Sequence, residues 1–162
     1  MRLNLKKLFS NFEVILASVF IIITTVLVML NVIFRYFLQS GIYWSEEVAT
    51  GCFVWSVFLG AAAGYKYKVH VGVDMLVNMC SVKVKKLITI LVDLILLLIN
   101  GYITYISIIY LNLSYKKPTP VLGISSAFIS SSIFVSFALM TLYAVVFLIR
   151  DCKSPNTLQG AL

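Results

Sequence analysis

Four long apolar runs constrain this chain more than anything else in it. They lie at about 14–34, 46–65, 87–111 and 121–149, and between them fall short, basic connections. At about 1.5 Å of rise per residue, each run can cross a hydrocarbon core roughly 30 Å thick. Lipid offers the backbone no hydrogen bonds, so each crossing segment must close its own ladder as a helix. The expected fold is an all-α integral membrane protein with four transmembrane helices in a single domain over 1–162. Composition excludes the alternative of a water-soluble globule. Only 12% of the 162 residues are charged and 61% are hydrophobic, whereas a soluble domain is about a quarter charged.

The first run competes with a secretory signal peptide, since Lys6 and Lys7 precede it. It is too long for that role and lacks a small-x-small cleavage site, so it is read as a retained helix. Orientation follows from the thirteen basic residues. Arg2, Lys6, Lys7, Lys66, Lys68, Lys83, Lys85, Lys86, Arg150 and Lys153 lie on the tails and second loop. Arg35, Lys116 and Lys117 lie on the other side. Ten against three places both termini and the second loop in the cytoplasm. A net charge of +7 therefore belongs to membrane flanks. No basic stripe interleaved with aromatics supports nucleic-acid binding.

Two short amphipathic stretches are expected along the cytoplasmic headgroups. In the first twelve residues, Leu5, Leu8, Phe9 and Phe12 recur at helical spacing opposite Arg2, Lys6 and Lys7. In 69–80, His70, Asp74 and Asn78 repeat every four positions against Val69, Val73, Leu76, Val77 and Cys80. Val69 to Val73 also fits a period-two strand, but an open strand edge at a membrane surface is costly, which favours the helix. The third loop, 114–120, carries Lys-Lys-Pro-Thr-Pro and reads as a stiff turn between helices.

Charged groups near lipid need a reason. Arg35 closes the first helix, and Glu46 and Glu47 open the second. Two readings stand: an Arg–Glu contact that fixes the hairpin, or a carboxylate facing another subunit or a transported cation. The first helical turn also favours anions through the helix dipole. Tyr43 and Trp44 fit an interfacial aromatic anchor. Asp93 is followed by Asn100, Thr104 and Ser107 on about one face, which reads as a polar seam between helices rather than an ion relay. The second helix carries Ala49, Cys52, Ser56, Gly60 and Gly64, and the fourth carries Ser125, Ser126, Ser130, Ser131, Ser132 and Ser136. Small residues of this kind allow close helix packing.

No catalytic constellation emerges. The sole histidine, His70, has no matching serine nucleophile, and Cys52, Cys80 and Cys152 are too scattered for a zinc site. One histidine also argues against a bis-histidine haem. The residues imply no enzyme, no cofactor and no metal, only a small four-helix membrane protein.

The stretch 31–75 resembles the small membrane subunit, the DctQ family, of tripartite ATP-independent periplasmic (TRAP) transporters. The resemblance rests on Asn31-x-x-x-Arg35, Trp44-Ser45-Glu46-Glu47, Phe58-Leu59-Gly60-Ala61-Ala62, the basic step at Lys66 and Lys68, and His70-Val71-x-Val73-Asp74. One departure is Pro120-Val121-Leu122-Gly123 followed by Ile124-Ser125-Ser126, where the family often has Pro and a large aromatic, and this bears on where the last helix starts. The resemblance implies a bacterial inner-membrane scaffold subunit. Its implied partners are a large membrane subunit of about twelve helices (the DctM family), a periplasmic substrate-binding protein (the DctP family) and membrane lipids. The implied activity is sodium-coupled import of an organic acid anion such as a dicarboxylate or sialic acid. In that setting Ala49, Ser56, Gly60, Gly64 and Ser131 would pack against the large subunit. Arg35, Trp44, Glu46 and Glu47 would hold the outer hairpin and meet the binding protein. Lys66, Lys68, His70 and Asp74 would anchor the cytoplasmic side. The alternative is an autonomous small multidrug-type exporter acting as a homodimer, which would place a carboxylate in mid-helix.

Overall fold

The computed structural model describes residues 11–67 and 82–153. Both expected interfacial segments, at the N-terminus and at 69–80, lie outside the described residues apart from Asn11 and Phe12, as do Lys68, His70 and Asp74. Four helices make up the rest: α1 (Phe12–Phe37), α2 (Tyr43–Lys66), α3 (Val82–Tyr115) and α4 (Ala127–Lys153). All four are long and apolar enough to cross a membrane. Among the described residues the one extended pairing is an isolated bridge between Pro118 and Ser125.

The helices form a row. α1 packs on α2, α2 on α4, and α4 on α3. The inner position of α2 is marked by burial of Ser45, Ala49, Gly51, Leu59, Ala62, Ala63 and Tyr65. These are mostly small side chains, and small side chains let membrane helices approach closely. Gly51 shows the effect directly: a Cβ built there would lie 3.7 Å from Ile129 of α4.

α3 reverses the pattern of a soluble helix. Its buried residues are polar, Asp93, Asn100, Ser107 and Ser114, and its exposed ones are mostly apolar. Their seven-residue spacing keeps one narrow stripe facing a neighbour. The seam meets α4 through hydroxyls, with Ser130 Oγ donating to Ser114 Oγ at 3.0 Å and Thr104 and Thr141 oxygens 3.2 Å apart. The polar seam inferred at Asp93 to Ser107 is thus an internal packing surface.

The start of α4 differs from expectation. The apolar run begins near Val121, yet the helix begins at Ala127. Residues 116–126 instead form an ordered cap. Ser126 N–H donates to the Lys117 carbonyl at 2.9 Å and Thr119 N–H to that of Ile124 at 2.7 Å. Gly123 takes φ +65°, a left-handed conformation that suits glycine.

Candidate functional site

At the end of the row that holds the two short connections, the consecutive carboxylates of α2 serve different loops. Asn31, in the second-last turn of α1, donates from Nδ2 to Glu46 Oε1 at 3.1 Å. Its Oδ1 accepts the Ile42 N–H at 2.9 Å. One amide therefore bridges α1, the connection and α2. Ser45, almost fully buried, donates to the Ile42 carbonyl at 2.7 Å and tightens the same turn. Glu47 reaches the other way. Its Oε2 accepts the Val121 N–H at 2.9 Å and the Leu122 N–H at 3.3 Å, and the carboxylate also hydrogen-bonds the Thr119 side chain. Glu47 thus organises the cap whose apolar residues had read as helix.

The expected Arg35–Glu ion pair does not form among the described residues. Arg35 is exposed and borders a shallow groove of about 200 Å³ with Leu27, Val28, Asn31, Val32, Ser45, Glu46 and Ala49. Asn31 takes its place for a chemical reason. An amide both donates and accepts, so it satisfies Glu46 and an orphan helix-start N–H together, whereas a guanidinium only donates. Trp44 is half-exposed at this end beside the more exposed Tyr43.

At the opposite end, Lys66 forms an ion pair with Glu13 at 3.0 Å. Tyr143 of α4 donates its hydroxyl to Glu13 as well, and the Lys66 ammonium sits 5.5 Å from the Tyr143 ring centroid. The expected headgroup anchor is thus turned inward and joins α1, α2 and α4. Sequence reasoning missed Glu13. The available signal was its position as the first acidic residue of the chain, at the edge of an apolar run, where a carboxylate needs a partner.

Between the two ends, Trp55 Nε1 donates to the Phe128 carbonyl at 3.1 Å. Its ring lies 5.9 Å from that of Phe20 and 6.0 Å from that of Phe128, so this residue joins α1, α2 and α4 as well. The small residues singled out earlier divide. Ala49 is buried, and its carbonyl accepts from Thr24 of α1 at 3.3 Å. Ser131 donates within its own helix to Phe128. Gly60 and Gly64 face open space, and Gly60 lines a shallow groove between α1 and α2 with Ser56, Ala63 and Ser18.

The sequence model of the DctQ component of tripartite ATP-independent periplasmic transporters matches residues 24–154. This chain belongs to the DctQ family. A protein of Haemophilus influenzae described as a TRAP transporter small permease protein is 31% identical over 137 residues, covering 84% of this chain and 82% of that one. A second H. influenzae protein of the same description is 31% identical over 131 residues, covering 77% and 81%. The C4-dicarboxylate TRAP transporter small permease protein of Vibrio cholerae is 36% identical over 78 residues, covering 48% of this chain and 34% of its own length. This DctQ chain is therefore a TRAP transporter small permease subunit, a multi-pass protein of the inner membrane. The matched region includes Asn31, Glu46, Glu47 and Trp55, while Glu13 precedes it.

Proposed function

We propose that this subunit is a rigid scaffold, not a conduit, in a sodium-coupled TRAP transporter that imports an organic acid anion. Its partners in this reading are a large membrane subunit and a periplasmic binding protein. The observation that carries it is the use made of the charged groups. Glu13 and Lys66 hold one end of the row, Glu46 and Glu47 hold the two connections at the other, and Trp55 ties the middle. Charges spent on fastening helices to each other suit a body that must resist a moving neighbour. An autonomous exporter would instead hold a carboxylate free in mid-membrane, and membership of the DctQ family disfavours it. A small dicarboxylate is the first solute class to test, because the V. cholerae relative is described by C4-dicarboxylate, with sialic acid next.

The basic-residue count supports a cytoplasmic position for both termini, which turns the Glu46 and Glu47 end toward the periplasm. There, exposed Arg35 and Trp44 would meet the binding protein. Gly60 and Gly64 would accept a helix of the large subunit, and Lys68, His70 and Asp74 would hold the cytoplasmic headgroups. Deleting the chain in a strain that retains the other two components should abolish sodium-dependent uptake of the radiolabelled anion, and supplying it in trans should restore uptake. Unchanged uptake in the deletion strain, or drug resistance conferred by the chain alone, contradicts the scaffold role.

A further inference from the structure

Arg35 and Glu46 line one groove between α1 and α2, yet no ion pair joins them among the described residues. Leu27, Val28, Val32 and Ala49 give the groove apolar walls, and the two charges lie at its outer end, near the close of α1 and the start of α2. From Glu13 to Arg35, α1 rises roughly 33 Å, about the thickness of a hydrocarbon core. The charged end is therefore at headgroup depth, and the apolar walls run about 12 Å inward from it.

Glu46 is held in a fixed pose. Asn31 Nδ2 donates to its Oε1 at 3.1 Å, while its Oε2 accepts no hydrogen bond among the described residues. Arg35, exposed in the last turn of α1, has no hydrogen-bond partner among those residues either. The groove thus offers a guanidinium and one carboxylate oxygen, both unengaged, above an apolar channel. A simple anion would answer Arg35 and be repelled by Glu46, and a cation would do the reverse. A zwitterion with an apolar tail answers both charges and the walls.

We propose that this groove binds one phosphatidylethanolamine of the periplasmic leaflet. Its phosphate lies on Arg35, its ammonium on Glu46 Oε2, and one acyl chain runs along Leu27, Val28, Val32 and Ala49. Arginine presents a planar fork that suits phosphate oxygens, and an ammonium has N–H groups to donate to a carboxylate. A choline headgroup has no N–H to give, and phosphatidylglycerol places net negative charge beside Glu46. The leaflet follows from the orientation given by the basic residues. The site is built from this chain alone and needs neither partner subunit. With lipid bound, Trp44 and the headgroup held by Arg35 form the surface offered to the binding protein.

The test is native mass spectrometry of the full-length chain, delipidated in mild detergent and titrated with phosphatidylethanolamine, phosphatidylcholine or phosphatidylglycerol of matched acyl chains. A single phosphatidylethanolamine adduct is expected, at least about fivefold tighter than either of the others. Arg35→Ala should weaken it about tenfold, and Glu46→Gln should erase most of the preference over phosphatidylglycerol. Arg35→Ala should unfold with the parent when no lipid is added, so its lost affinity is not a lost fold. In the whole complex, p-benzoylphenylalanine at position 28 is expected to label phospholipid on illumination. Equal affinity for the three lipids, an Arg35→Ala chain that binds as tightly as the parent, or labelling of the large subunit alone overturns the site and leaves the scaffold role standing.

Discussion

Glu46 and Glu47 are neighbours on α2, so their side chains leave the helix about 100° apart. That turn sends one carboxylate to Asn31 and the other to the Thr119–Leu122 segment. The sequence marked both residues as needing partners but not which partners, because Asn31 and Arg35 are one turn apart and only the depth of Glu46 chooses between them. Asn31→Ala removes a donor and an acceptor together, and thermal unfolding in detergent should show a loss of about 1–2 kcal/mol. Arg35→Ala should stay within about 0.5 kcal/mol of the parent in the same assay, since no ion pair among the described residues depends on it. Glu47→Ala should speed hydrogen exchange at the Val121 and Leu122 amides by at least about tenfold. Glu47→Gln, which keeps an acceptor oxygen, should have a smaller effect.

At the scale of elements, the four helices were legible because run length against membrane thickness leaves few alternatives. Their order in the row was not, since lipid-facing and partner-facing apolar residues look alike in sequence. The start of α4 was obscured for a related reason. Val121, Leu122 and Ile124 are apolar, but they belong to a cap held by a carboxylate seventy-four residues earlier in the chain. The cluster of Glu13, Lys66 and Tyr143 is equally long-range, joining positions 130 residues apart. It gives the sharpest prediction at this scale. Lys66→Met leaves the Glu13 carboxylate, buried in the chain, without its cation and should cost about 3 kcal/mol in the unfolding assay. Adding Glu13→Gln should recover much of that loss, because the remaining groups are then neutral. A double variant no more stable than Lys66→Met would show that packing, not charge, holds this end together.

The molecule as a whole is a row of helices rather than a closed bundle, and α1 and α3 cover little of each other. Such a row leaves wide apolar surfaces: just 11% of an eighteen-residue apolar window of α1 and 6% of one of α3 are buried within the chain. The fastenings at both ends and in the middle supplement a thin core of mostly small residues along α2. That combination, fastened at both ends and open on its faces, suits a subunit that borders a larger membrane protein. The most direct measurement is affinity purification of this chain from its native membrane in mild detergent, followed by mass spectrometry and stoichiometry. A multi-helix permease subunit recovered at about one copy per chain is the predicted result. Recovery of the chain alone, or only with further copies of itself, would contradict the account.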